Sequence, residues 1–170
     1  ESYENFINKS FLEVSKVLDI INPKKINKII YTSSSAVYGS IIDNSEVKDN
    51  LNRNLYSYAK LYCENLIKNF CNKHNKNFII ARVFNLYGEM NNFSILNKIA
   101  YSLKNNKKII IHNKGVSIRD FINVKDVGKI YNLLLKEFKQ GIFDVGTGKG
   151  IKIIDLINKL NIPKNKIILK

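Results

Sequence analysis

The sequence predicts an α/β fold built on a parallel sheet, and three observations carry that expectation. Short runs of strand formers alternate with helical stripes along the chain. The hydrophobic content of 45% contains no apolar run long enough for a membrane span. No internal repeat or low-complexity linker interrupts the alternation.

Each element follows in order. Phe6 to Ile21 place apolar residues at roughly helical spacing and stop before Pro23, which predicts a helix. Lys28 to Ser33 is a short buried-type run, IIY followed by TSS, and reads as a strand. From Tyr56 to Phe70, the apolar set Ala59, Cys63, Leu66, Ile67 and Phe70 follows the spacing of one helix face. NFIIARVF then reads as a strand. A second block opens near Asn91, with a helix over Phe93 to Lys104, a strand at 109–112 and another at 118–124. Val127, Ile130, Tyr131, Leu134, Leu135 and Phe138 form a helical stripe, and Asn123 with Asp126 has the spacing of a cap. Ile142 to Val145 reads as a strand running into Gly146-Thr147-Gly148, and Ile151 to Leu160 as a helix.

A length of 170 residues suits one modest domain or a large piece of a bigger one. The chain opens at Glu1, which reads as a processed, trimmed or incomplete sequence, and no segment has the order of a signal peptide. The net charge of +14 is spread through KKINK, IKNF, NKHNK, KNNKK and PKNK, as solvated surface charge would be. A basic nucleic-acid-binding protein would need a compact patch, so neither nucleic acid nor membrane is expected as a partner. The same field favours an anionic ligand. Cys63 and Cys71 fit no metal spacing, and Cys63 falls on the apolar side of a helix. With His74 and His112 isolated, no metal site is expected, and a reducing, cytoplasmic setting is the default.

Two motifs could carry chemistry. Tyr56 and Lys60 stand four apart near a helix start and would share one face. A phenol with a reference pKa of about 10 is a poor base at neutral pH, but a nearby ammonium favours the phenolate, which makes an acid/base device. A chance surface pair is the plain alternative, although Tyr56 is the only tyrosine with Lys at this spacing. Tyr31 to Gly39, YTSSSAVYG, is a strand ending in hydroxyls, placed where parallel sheets bind ligands; an ordinary strand exit would look similar. The order of the two, hydroxyl cluster first and Tyr-x-x-x-Lys after it, is rarer than either.

SSSAVYG, YSYAK, ARVFNLYG, IRDFINVKDV and FDVGTG, in that order, resemble the extended short-chain dehydrogenase/reductase family. The resemblance is to its nucleotide-sugar epimerase and dehydratase branch and spans nearly the whole chain; Asn8 matches more weakly. It implies a partial Rossmann-type doubly wound parallel sheet, its N-terminal strands missing, with a small α/β substrate-binding region. Residues 1–90 would form the C-terminal part of the NAD(P)-binding domain. Residues 91–170 would bind substrate, with 118–148 partly returning to the sheet.

By this resemblance Tyr56 is the general acid/base, Lys60 binds the nicotinamide ribose and favours the Tyr56 phenolate, and Ser34 hydrogen-bonds the reacting oxygen. Ser33, Tyr56, Lys60 and Phe84 are implied at the cofactor, and Ser34, Asn85 and Arg119 at the substrate. Arg119 would grip the diphosphate of the sugar nucleotide. Without the family, Arg119 beside Asp120 reads as a surface ion pair and Asn85 as a turn former. The 4,6-dehydratases carry an acidic residue where this chain has Ser35 and Ala36, and epimerase-reductases carry a Cys and a His where it has Ser35 and Met90.

The resemblance thus implies a 4-epimerase with NAD, or with NADP, acting on a nucleotide-diphosphate sugar through a transient keto sugar, and a homodimer when full length. An NADPH-dependent ketoreductase or a 4,6-dehydratase are the enzymatic alternatives, and a noncatalytic NAD- or sugar-nucleotide-binding module is the non-enzymatic one. No Gly-x-Gly-x-x-Gly turn is present to hold a pyrophosphate at a helix N-terminus. These 170 residues alone are therefore expected to bind NAD weakly and to be inactive.

Overall fold

A π-helical turn, Asn8–Leu12, leads into α1 (Glu13–Ile20). The helix stops before Pro23, where the Asn22 side chain accepts from the Lys24 amide at 3.0 Å and caps a short 3-10 turn. Strand β1 (Lys28–Ser34), helix α2 (Leu51–Lys73) and strand β2 (Asn77–Val83) follow. The chain then forms β3 (Asn85–Tyr87), α3 (Ile95–Lys104), β4 (Ile109–Ile111), β5 (Ile118–Asn123) and α4 (Val124–Glu137). It ends with β6 (Gly141–Val145), β7 (Gly150–Lys152), α5 (Ile153–Lys159) and β8 (Ile167–Leu169). This computed structural model describes residues 5, 8–39, 51–88, 94–137 and 140–170, with the backbone alone for 51–54. Phe6, Met90, Phe93 and Phe138, used in the sequence reading, lie outside the described residues.

The chain divides into two compact units, Glu1–Val83 with Ile130–Val145, and Phe84–Lys129 with Gly146–Lys170. The division falls at Val83/Phe84, earlier than the boundary read at residue 90.

The first unit is built on a parallel sheet of order β1-β2-β6. Ile79, Ile80 and Ala81 of the central strand are all fully buried, so both its faces are covered, as a near-continuous apolar run in a parallel strand requires. Each large aliphatic side chain buried this way contributes about 1.5–3 kcal/mol. Along β1 the two-residue alternation divides the work. Ile29 and Tyr31 join the core that Leu18 of α1 and Ile67 and Cys71 of α2 form around Ile80. Lys28 and Thr32 turn the other way: the Lys28 ammonium donates to the Leu135 carbonyl at 2.8 Å, and the Thr32 and Tyr131 hydroxyls are 2.7 Å apart. A cation on the last carbonyls of α4 is also favourable to that helix end.

In the second unit β3 pairs parallel with β5, β5 antiparallel with β7, and β4 parallel with β8. Ile99, Ile109, Ile111, Ile153, Ile157 and Ile162 form its core. Several boundaries differ from the sequence reading for local reasons. NFIIARVF breaks at Phe84, because Asn85–Tyr87 pairs with β5 instead of extending β2. The helix read from Ile151 starts at Ile153, since Gly150–Lys152 pairs with β5. β8 is three residues long, too short for a periodicity to show. Asn123 Oδ1 accepts from the Lys125 amide at 2.9 Å, but Asp126 pairs with Lys129 and does not complete the cap.

Candidate active site

Helix α2 carries a buried face of Ala59, Cys63, Ile67 and Cys71, which places Tyr56 and Lys60 on the strip beside it. The Lys60 ammonium donates to the Thr32 carbonyl at 3.1 Å and lies 5.1 Å from the centre of the Tyr31 ring and 5.9 Å from that of Tyr56. Burial lowers the Lys60 pKa from its ordinary value. Burial, with the neighbouring Cys63 thiol second, pushes the Tyr31 phenol well up, so Tyr31 stays protonated. Tyr56, 42% exposed, is the phenol open to a ligand.

β1 delivers Ser34 to the same end of the sheet. Its hydroxyl accepts from the Ala36 amide at 3.2 Å and caps the 3-10 turn Ser35–Tyr38, which leaves the hydroxyl proton to be donated. Ser57 Oγ donates to the Ala36 carbonyl at 2.7 Å. Two hydrogen bonds through Ala36 thus connect Ser34 to the residue next to Tyr56. The turn ends at Gly39, whose φ of +70° is the conformation a side chain disfavours.

Ser33, expected at the cofactor, turns its hydroxyl into the first unit. It is 3% exposed, and its hydroxyl points inward and donates to Glu64 Oε1 at 2.6 Å. Glu64, 0% exposed, also accepts from Arg82 Nε at 3.0 Å and Nη2 at 2.8 Å, with the Lys68 ammonium 3.8 Å away. Burial pushes the Glu64 carboxyl up, but the hydrogen bonds from Arg82 and Ser33 and the two cations outweigh it and hold the group below its ordinary value. Arg82 in turn lies 4.8 Å from the centre of the Tyr38 ring, and the Tyr38 hydroxyl donates to Asp144 at 2.7 Å. Sequence reasoning missed both Glu64 and Arg82. Their signal was a charge of each sign set inside an apolar element.

Phe84, Asn85 and Arg119 belong to the second unit. Asn85 Nδ2 donates to the Asp120 carbonyl at 3.0 Å, and exposed Arg119 donates to the Ile118 carbonyl at 2.8 Å. Asp120 is not held in an ion pair with Arg119. Its carboxylate accepts from the amides of Thr147 and Gly148, each at 2.8 Å, and from the Thr147 hydroxyl at 2.5 Å. A Cβ on Gly146 would stand 2.6 Å from Asp120 Oδ2 and 3.0 Å from the Phe84 ring, so this loop closes only around a glycine.

A groove of about 490 Å³ opens in the first unit, walled by α1, β1 and α2, and reaches Tyr31, Tyr56 and Lys60. Cys63 and Cys71 are buried thiols in no disulfide, and Cys63 Sγ donates to the Ser10 carbonyl. Among the described residues, no cluster of His, Cys, Asp or Glu could hold a metal ion, and no helix is long and apolar enough to cross a membrane.

The dTDP-D-glucose 4,6-dehydratase of Dictyostelium discoideum is 28% identical over 170 residues, covering 91% of this chain and 39% of that protein. The UDP-N-acetylglucosamine 4-epimerase of Methanobrevibacter ruminantium, solved with UDP-N-acetylmuramic acid, has a TM-score of 0.78 at 24% identity, covering 97% of this chain and 56% of that one. The dTDP-glucose 4,6-dehydratase of Bacillus anthracis, solved with NAD, has a TM-score of 0.77 at 17% identity, covering 99% and 57%. The two structures show a shared fold, and the chain spans little more than half of either. A model of the "NAD dependent epimerase/dehydratase family" matches residues 1–146 of the 170, and the chain belongs to that family.

Proposed function

We propose that the intact protein epimerises a nucleotide-diphosphate sugar at a ring hydroxyl carbon, in the manner of a 4-epimerase, through a transient keto sugar. The observation that carries this reading is the exposed Tyr56 phenol on α2 with the half-buried Lys60 ammonium 5.9 Å from its ring, joined at the end of β1 by a Ser34 hydroxyl proton with no acceptor among the described residues. Tyr56 takes the proton from the sugar hydroxyl and later returns it. Ser34 donates to the same oxygen, and Lys60 holds its ammonium 5.9 Å from the Tyr56 ring.

The site suits the nicotinamide-ribose end of NAD. Lys60 has one N–H on Thr32 and two more to offer a ribose diol, and the family is NAD-dependent. NAD, when bound, supplies the acceptor and donor of hydride. Phe84 at the nicotinamide, and Asn85 and Arg119 at the sugar nucleotide, complete the proposal. Ser33, with its hydroxyl on Glu64, contributes to the cofactor site only as support. NADP fits the same residues.

The Dictyostelium relative favours a second reading, dehydration. Against it stand Ser35 and Ala36, which put no carboxyl in the turn after β1. Both readings are tested in the intact protein with NAD, using UDP-N-acetylglucosamine and dTDP-glucose as probes. Epimerisation gives a product of unchanged mass and inverted configuration, whereas dehydration gives a product lighter by one water. Tyr56→Phe is expected to lower kcat by about 10²- to 10⁴-fold. Unchanged turnover in that variant overturns the proposal.

A further inference from the structure

We propose that the ion pair of buried Glu64 with partly buried Arg82 is the positioning element of the Ser34, Tyr56 and Lys60 site. The inference rests on the reading of that site given above. Glu64 stands four residues after Lys60 and eight after Tyr56, so all three lie along one strip of α2. Its carboxylate reaches two strands at once, Ser33 of β1 at 2.6 Å and the Arg82 fork of β2 at 3.0 and 2.8 Å. Ser33 and Arg82 are register partners in the sheet, so one group fixes the rotation and height of α2 against a paired position.

The same pair brackets Ser34. On one side Ser33 is tied to Glu64. On the other, Tyr38 lies against the Arg82 guanidinium and donates to Asp144 of β6. The segment from Ser33 to Tyr38, with Ser34 inside it, is therefore anchored at both ends by contacts that converge on Glu64 and Arg82. An apolar contact would bury as much surface but would let the helix slide or rotate. A two-pronged charged contact is directional and does not. Replacing a buried pair with apolar side chains commonly leaves stability unchanged, so geometry, not folding energy, is what such a pair supplies to a site.

The test is steady-state kinetics of the intact protein with NAD and the two sugar-nucleotide probes named above, run beside thermal melts. Glu64→Met/Arg82→Met is expected to keep the melting temperature near wild type while kcat falls by about 10- to 100-fold, the effect of a misplacement near 1 Å, with KM little changed. Arg82→Lys keeps the charge without the fork and is expected to lose kcat as well, with no rescue. A folded double variant with wild-type kcat overturns the proposal. If the double variant does not fold, Ser33→Ala removes only the link from β1 to Glu64, and wild-type kcat there overturns it equally. Tyr56→Phe separates the two claims. If it turns over normally, the reading of the site has failed; if it is inactive while the Glu64/Arg82 variants are not, only the positioning role has failed. Should the probes not turn over, a crystal structure of the double variant decides: displacement of Tyr56 or Lys60 from Ser34 supports the proposal, and superposition on wild type overturns it.

Discussion

Two carboxylates organise the two units, and they do so under opposite conditions. Glu64 is sealed inside the first unit and holds side chains of opposite and neutral character, Arg82 and Ser33. Asp120 is only partly buried in the second unit and holds the backbone amides and hydroxyl of Thr147–Gly148. An ionised group without water needs a countercharge, or burial drives it neutral. One within reach of water can be satisfied by N–H donors alone. The first arrangement links secondary-structure elements and should fail as a whole, whereas the second shapes one loop and should fail locally.

Glu64→Ala in the intact protein is expected to show the largest effect. It leaves the partly buried Arg82 guanidinium without its partner, at a cost of about 3 kcal/mol. Urea unfolding measures this directly, and a loss below about 1 kcal/mol would put the pair in the class of exposed ion pairs. Asp120→Ala is expected to cost about 1–3 kcal/mol, since its former donors can turn to water. Its signature is spatial: hydrogen exchange at Thr147 and Gly148 should speed up while the amides of β2 keep their protection. Equal acceleration in β2 would remove the contrast between a framework carboxylate and a loop carboxylate.

The same contrast explains what the sequence could reveal. Tyr56 and Lys60 were legible because their relation is helical and local, four residues apart, and the strand–helix alternation was legible from apolar period alone. Glu64 and Arg82 were not, because a charged residue is read as solvent-facing by default. Yet Glu64 follows directly on buried Cys63, and Arg82 sits between Ala81 and Val83 in a strand run. Opposite charges inside two interior elements are a usable sign of a buried pair. Asp120 offered no such sign, since its partners lie 27 and 28 residues away and meet it only when β5 and the loop after β6 close on each other. The inward turn of the Ser33 hydroxyl was hidden for a related reason. A run of three serines does not say which hydroxyl faces in, and the two-residue alternation of β1 decides it.

The smallest effect sharpens the comparison from the side of the proton. Burial raises the Glu64 pKa, while Arg82 and Ser33 lower it by more, so its folded value lies below its unfolded one. Unfolded, a glutamate takes up its proton near pH 4.3. Well above that pH both states are ionised and the contribution of the pair to stability is complete. As pH falls through and below it, the unfolded chain binds the proton first, so stability declines until the folded carboxyl is protonated as well. The slope from one such group approaches about 1.4 kcal/mol per pH unit. Arg82 does not titrate in this window, since its hydrogen bond to Glu64 raises an already high pKa further. Glu64→Gln should therefore be less stable at neutral pH yet lose less on acidification, and urea midpoints between neutral pH and the acid limb should converge on those of wild type. Parallel curves across that range would mean that the Glu64 charge does not contribute to folding, and the pair would then have to be explained by packing alone.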